Sequence, residues 1–253
     1  MMRKELTSSE EIPNEMIEND ARRAEMAMFL SNWAEEYLLQ TQQNRLFENT
    51  SSEARGWSDR QKETFVALLY HARGHFYRFL WHLANQASLE QRKVVFENIR
   101  DELGGESYAP HEVLFSRFAA EFGTDVQKEM FGRTALWDHF LAGFNDGHLR
   151  FILTHESDAN WAFFSAYELL DNVDYVNLLN LAKAMGACKP EALEFFEVHI
   201  GSTHHEETRR LLSDIWVANP DSVREAFAFI AQHQLRMWRG IESVIMPYAP
   251  GVR

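Results

Sequence analysis

The sequence predicts an all-α protein that forms a single helical bundle. Apolar residues recur at three- and four-residue steps along most of the chain, which is the period of an α-helix. Only 12 Gly and 6 Pro occur among 253 residues, and runs of alternating β-branched residues are nearly absent. No segment repeats at a solenoid period, and no Gly/Ser-rich linker divides the chain. We therefore expect one compact domain of about seven to nine helices over residues 21–253.

Capping residues and breaks in the apolar pattern set the expected helix bounds. The first helix is predicted over residues 21–43. It follows a charged segment at 1–20 that is expected to be a flexible leader, or an arm that packs on the partner of a homodimer. Ser58 and Ser88 precede the next two helices as N-caps, and Gly104 ends the second of these. The helices predicted after the first are 58–86, 89–103, 111–122, 125–145, 159–185, 190–217 and 222–246, with 149–155 either helix or loop.

The acidic composition and the single cysteine exclude several classes of function. The formal net charge of -13 opposes binding to nucleic acid or to an anionic membrane surface. Apolar runs are short and interrupted by charge, so no membrane span is expected. Cys188 is the one cysteine, so no disulfide forms within the chain and a reducing, cytoplasmic setting is the natural interpretation. We expect the partner to be a small-molecule substrate.

Carboxylates and a histidine stand in apolar surroundings in the middle of the chain. Glu102 ends one predicted helix and His111 opens the next, across a Gly-rich turn that can bring both side chains to one point. Glu168 lies among large apolar residues within the predicted 159–185 helix. A carboxylate-bridged diiron site needs such oxygen ligands and imidazoles, converging from several helices of a bundle. Each segment taken alone also fits an ordinary helix with a solvated polar side.

Two further segments carry histidines at helical spacing. His199, Thr203 and Glu206 stand at i, i+4 and i+7, so they share one face of a regular helix. His71 and His75 are four residues apart and can also face one metal ion. Spacings of this kind are common on polar helix surfaces, so neither segment specifies a metal by itself.

In chain order, these segments resemble the haem-oxygenase-like family of non-haem diiron oxidases and oxygenases, from about residue 45 to 240. The resemblance is carried by Asp101-Glu102-Leu103-Gly104-Gly105 with His111, by Tyr167-Glu168, and by Phe195-Phe196-Glu197-Val198-His199-Ile200. It implies a haem-oxygenase-like bundle. The metal ligands that it implies are His75, Glu102, His111, Glu168, His199 and Glu206.

Three positions depart from the family pattern. The Asp of the last ligand helix falls on Thr203, the second His of that helix falls on Glu206, and the Glu of the first ligand helix falls on His75. On a regular helix Glu206 faces the same way as the first His of its segment, so we predict Glu206 as the ligand. His205 could replace it only if Gly201 distorts the helix.

The resemblance implies an iron-dependent oxidoreductase with two Fe(II) ions per chain and O2 as co-substrate. Its substrate would be a small metabolite such as an amino acid or a derivative, changed by oxidative C–C cleavage, desaturation or N-oxygenation. A metal-free enzyme or a binding protein on the same fold is the alternative. A haem oxygenase itself would need a proximal His early in the chain, and none precedes His71. An amino-acid substrate needs an inward Arg for its carboxylate, and Arg73, Arg236 and Arg239 are the candidates.

Overall fold

The computed structural model describes residues 14–48, 53–73, 76–104, 108–131, 140–201 and 204–246. Every regular element in these ranges is helical, and no strand occurs in them. The predicted all-α fold is therefore confirmed. None of the described helices combines the length and the apolar character that a bilayer span requires.

The described ranges contain eleven α-helical segments and a short 3-10 turn at Ala54–Gly56. Three predicted helices are each seen as two segments, which accounts for the larger number. The segments are α1 (Asn14–Gln42), α2 (Asp59–Arg73), α3 (Phe76–Gln86), α4 (Leu89–Glu102), α5 (His111–Ala120), α6 (Val126–Phe131), α7 (Phe140–Thr154), α8 (Ser157–Met185), α9 (Pro190–Ile200), α10 (His204–Ala218) and α11 (Pro220–Ile245).

Two differences from the predicted bounds bear on the site. Helix α1 begins at Asn14, inside the segment predicted to be a leader, and residues 1–13 lie outside the described part of the chain. Helix α9 ends at Ile200 with Gly201 as its C-cap, and α10 begins at His204. The single regular helix assumed over 190–217 is therefore wrong, and with it the register argument that placed Glu206 on the ligand face.

The 29-residue helix α8 is the centre of the bundle. It packs against α9, α10 and α11, and residues 159–168 are buried without interruption. A helix that is buried on all sides has no solvated face for polar side chains. Its carboxylates must therefore find partners inside the protein or carry the cost of burial.

Two apolar cores meet along α8. One core contains residues of the first half of the helix, such as Phe163, and packs with α1, α3, α4 and α10. The other contains residues of the second half, from Tyr175 onward, and packs with α2, α5 and α9. Asp171, Asn172 and Asp174 lie between them. The change from one core to the other therefore places carboxylates in the middle of the molecule.

Candidate metal centre

A cavity of about 410 Å³ lies beside α8, lined by residues of α2 to α5 and of α8 to α10. Most of its wall is aromatic or acidic. The aromatic lining residues are Tyr70, Phe76, Tyr77, Tyr108, Phe115, Tyr167, Tyr175 and Phe195. The acidic lining residues are Asp101, Glu102, Glu112, Glu168 and Asp171, and the histidines are His111, His199 and His205.

Three of the predicted ligands meet in this cavity wall. Glu102, His111 and His199 each offer a ligand atom, and these atoms all lie within 4.8 Å of one another. The Nδ1 atom of His111 is 2.9 Å from Oε1 of Glu102. The rings of His111 and His199 have their centroids 4.4 Å apart. Side chains from three helices thus converge on a single point, as the sequence predicted for these residues.

The turn at Gly104 explains how Glu102 and His111 come together. Gly104 has a φ of 100°, a conformation that residues with a side chain rarely adopt. A Cβ atom at this position would stand 2.9 Å from the backbone nitrogen of Pro110. The turn is therefore tight because it contains a glycine, and it places the end of α4 beside the start of α5.

The His199 ring is held in one orientation by its neighbours. Its Nδ1–H donates a hydrogen bond of 2.6 Å to the carbonyl oxygen of Phe195, since a carbonyl only accepts. In the neutral ring the lone pair is then on Nε2, the atom that a metal would use. The ring also stacks on Tyr175 with centroids 3.9 Å apart and planes 9° apart. Such outer contacts fix the tautomer and the direction of a metal-binding histidine.

The donor set of this cluster fits iron. One carboxylate and two imidazoles correspond to the facial triad of non-haem Fe(II) oxygenases, which leaves other coordination positions open for ligands. The two histidines and the glutamate are half-buried, so an ion bound between them is shielded while it faces the cavity.

Glu168 faces the same cavity from α8 and is 7% exposed. Burial raises its pKa well above the ordinary value, and the nearby Asp171, Glu102 and Glu207 raise it further. The charged groups that act on Glu168 are thus all acidic. A buried carboxylate among other carboxylates is stabilised when a cation binds beside it. Glu168 therefore fits the predicted role of a ligand, and that role stays a prediction.

We expect Glu168→Gln to stabilise the metal-free protein more at high pH than at low pH. The folded-state pKa of Glu168 lies above its unfolded value of about 4.3, so the stability linked to its protonation is present at low pH. This stability is lost as the pH rises through the folded pKa, and glutamine does not titrate. Melting curves of both proteins at pH 5 and pH 8, with chelator present, measure the difference. An equal difference at both pH values would show that Glu168 is ionised without penalty.

The structure separates the two candidates on α10. Glu206 is exposed and is not among the lining residues, whereas His205 lines the cavity. Burial and then Arg209 lower the pKa of His205 to about 4, so the ring is neutral near pH 7 and able to bind a metal. Its ring is hydrogen-bonded to the backbone of Ser165, and Nδ1 is buried without a hydrogen-bond partner in the described part of the chain. The expectation that Glu206 faces the site is therefore corrected in favour of His205.

The break at Gly201 is the physical reason why His205 faces the cavity in place of Glu206. Because α9 and α10 are separate helices, the spacing rule for one regular helix does not apply across them. Of the other predicted ligands, His75 lies outside the described residues. His71, four residues earlier, is buried and pairs with Glu129 through Nε2 at 3.2 Å. It is not among the residues that line the cavity.

A buried ion-pair network adjoins the cavity and was missed by the sequence analysis. Arg73 binds Asp171 at 2.6 Å, Asp174 at 2.7 Å and the hydroxyl of Tyr167 at 2.8 Å. Burial raises the pKa of Asp171 to about 7, although Arg73 opposes the rise. Burial also raises the pKa of Asp174, against the effect of Arg73 and of hydrogen bonds from other side chains. Arg73 is one of the three arginines named from the sequence as candidates to bind a substrate carboxylate, and the expectation of a surface position is wrong for it.

The other two candidate arginines, Arg236 and Arg239, are exposed on α11, as expected for them from the sequence. Neither is a lining residue of the cavity. The signal that could have revealed the network is the position of Asp171 and Asp174 in α8. They stand three and six residues after Glu168 in a helix whose other residues are largely apolar.

The chain is similar to known proteins in sequence and in fold. A family model described as iron-containing redox enzyme matches residues 63–239. A CADD-like protein of unknown function from Nostoc punctiforme has a TM-score of 0.62 and 13% identity, over 89% of this chain and 100% of its own. A second crystal structure of that protein gives a TM-score of 0.63 and 15% identity, over 87% and 99%.

A domain of unknown function from Shewanella denitrificans, described as having a heme oxygenase-like fold, has a TM-score of 0.59. It is 13% identical over 91% of this chain and 97% of its own. No curated protein matches the chain significantly. At these identities the solved structures show the fold alone, and the predicted haem-oxygenase-like bundle is confirmed.

Proposed function

The chain belongs to the family of iron-containing redox enzymes, whose model matches residues 63–239; from this membership and the cavity we propose a non-haem iron oxidoreductase that uses O2 to oxidise a small metabolite. The observation that carries the proposal is the cluster of Glu102, His111 and His199, with ligand atoms within 4.8 Å of one another in the cavity wall. The cavity volume of about 410 Å³ fits a small organic molecule.

The roles of the protein residues follow from their positions. Glu102, His111 and His199 would hold the first iron ion. Glu168 and His205 line the same cavity and are the side chains proposed for a second ion. Iron in a ligand set of this kind supplies one-electron chemistry with O2. The aromatic walls exclude water from the reacting region and provide apolar surface for the body of the substrate.

Two features keep the proposed ligands in place. The hydrogen bond from His199 to the Phe195 carbonyl fixes the ring tautomer, and the stacking on Tyr175 fixes the ring plane. Nδ1 of His111 lies 2.9 Å from Oε1 of Glu102, a separation at which both atoms can bind one ion. Both rings are therefore oriented by the protein before an ion binds, which lowers the cost of ordering the site.

Anaerobic titration of the metal-free protein with Fe(II), followed by O2, tests the proposal. A library of amines, amino acids and fatty acids is included, and iron content, O2 uptake and products are measured. We expect iron to bind and O2 uptake to require one class of small molecule. A protein that binds a small molecule but neither binds iron nor consumes O2 would overturn the proposal in favour of a metal-free enzyme or a binding protein.

We expect His205→Ala to lower the iron content by up to one ion per chain. The lost imidazole faces the cavity and is neutral near pH 7, as a ligand must be. Glu206→Ala is the matched control because the neighbouring Glu206 is exposed. The control is expected to keep the wild-type iron content. Elemental analysis of both variants after reconstitution measures their iron content per chain. If Glu206→Ala loses iron and His205→Ala does not, the ligand assignment on α10 is reversed.

A further inference from the structure

The basic group of the cavity is already neutralised by the protein. Arg73 is the one Lys or Arg among the described lining residues, and its side chain is 3% exposed. Both of its terminal nitrogens are engaged, NH1 with Asp171 and the Tyr167 hydroxyl, and NH2 with Asp174. Its Nε atom is buried and has no hydrogen-bond partner in the described part of the chain. Arg73 therefore does not present the forked pair of donors that anchors a substrate carboxylate.

Asp171 presents the opposite charge to the cavity. Its Oδ1 atom is held by Arg73 at 2.6 Å, and no hydrogen bond to Oδ2 is found in the described part of the chain. Its side chain is 16% exposed and lines the cavity. Because Arg73 is shared by two carboxylates, the group of Arg73, Asp171 and Asp174 has a formal net charge of -1 when both carboxylates are ionised. This charge lies outside the Glu102, His111 and His199 cluster.

The approach to the cavity is acidic and aromatic as well. Glu112 is an exposed lining residue, Asp101 is half-buried, and Tyr77 is a half-exposed ring at the same wall. The five acidic lining residues outnumber Arg73, and a concave wall with an excess of negative charge concentrates cations near the opening. Aromatic faces additionally attract ammonium groups through their quadrupole. The acidic side chains and the aromatic rings of the wall thus both favour a positively charged ligand.

Building on the proposed function, we infer that the substrate is an organic cation, an amine attached to an apolar or aromatic body, and that Asp171 is the residue that selects it. The ammonium group donates to the Asp171 carboxylate, and the apolar body lies against the aromatic walls. An amino acid enters by its amino end under this arrangement, since Arg73 is not available to its carboxylate.

Isothermal titration of the iron-loaded protein under anaerobic conditions tests the inference with three probes of similar size. They are 2-phenylethylamine, 2-phenylethanol and 3-phenylpropionate, which differ in charge. We expect the amine to bind about tenfold or more tightly than the other two, as for a hydrogen bond between charged partners. Equal or tighter binding of the carboxylate to the wild-type protein would overturn the inference, whatever the variants do.

Asp171→Asn provides the charge-removal variant. It removes the selecting charge and the negative partner of NH1 of Arg73, while Tyr167 still accepts from NH1 and Asp174 still pairs with NH2. We expect amine binding to weaken about tenfold and carboxylate binding to strengthen, with the iron content unchanged. Asp158→Asn is the control on the same helix, because Asp158 is exposed and does not line the cavity, and it should change either affinity less than about threefold. An unchanged preference in Asp171→Asn would show that Asp171 does not select the substrate.

Failure of the inference and failure of the proposed function give different results. Iron binding and O2 uptake driven by anionic or neutral substrates alone would overturn the cation preference and leave the oxidoreductase intact. An amine preference in a protein that neither binds iron nor consumes O2 would overturn the oxidoreductase and leave the ligand class intact.

Discussion

His199→Ala is expected to abolish tight iron binding and, with it, the O2-dependent reaction. The substitution removes an imidazole whose ligand atom lies within 4.8 Å of those of Glu102 and His111. Loss of an outer-shell partner of a ligand typically costs about 10–100-fold in affinity or activity, and loss of the ligand itself should cost more. Iron content after reconstitution and the rate of substrate-dependent O2 uptake are the measurements.

The control for this prediction is His82→Ala, because His82 is an exposed histidine on α3. This variant should keep the wild-type iron content and rate. The two proteins should also have similar melting temperatures without iron, which separates loss of a ligand from loss of structure. Full iron retention by His199→Ala would remove His199 from the ligand set, even if the rate fell.

Arg73→Met is expected to destabilise the protein by about 3–5 kcal/mol, the usual cost of leaving a buried charge without its partner. The side chain of Asp174 is fully buried and that of Asp171 is 16% exposed, and both bind the guanidinium of Arg73. Asp174 would keep its hydrogen bonds from Tyr37, Gln234 and Trp238 but lose the positive charge that offsets its burial. For a chain of this length the loss corresponds to roughly 10 °C in melting temperature.

Arg117→Met is the matched control for that experiment. Arg117 pairs with Glu194 at 2.9 Å, but both side chains are substantially exposed to solvent, at 41% and 34%. An exposed ion pair contributes about 0–1 kcal/mol, so the control should unfold close to the wild-type temperature. Chemical denaturation gives both free energies of unfolding. Equal losses in the two variants would mean that solvent screens the Arg73 network despite its burial.

Much of the candidate site could be predicted because its signals are local. Glu102 and His111 flank a Gly-rich turn, and the 2.9 Å contact between their side chains follows from a helix end and a helix start brought together by Gly104. Glu168 stood out as a carboxylate among apolar residues of a long helix, and it is buried. Such features depend on residues that are close together in the sequence, so the sequence alone is enough to predict them.

The error on α10 has an equally local cause. The spacing favours Glu206 over His205, because a regular helix carries residues seven apart on the same face. The chain instead ends α9 at Ile200 and starts α10 at His204, which rotates the later residues relative to His199. The identity of Gly201 showed that a break was allowed. Whether the helix breaks there depends on how α9 and α10 each pack on α8. The spacing of residues in the sequence does not predict that packing.

By itself the sequence determined that the protein is all-α, that Glu168 stands among large apolar residues of a long helix, and that a Gly-rich segment separates the helix that Glu102 ends from the helix that His111 opens. These are consequences of helical periodicity and of glycine conformation, which act over a few residues. The tertiary structure alone decided that Arg73 pairs with Asp171, 98 residues away, and that His205 rather than Glu206 faces the cavity. A buried charge takes whichever partner the packing of distant helices brings within a few ångströms, because the cost of burial depends on spatial neighbours and not on sequence separation.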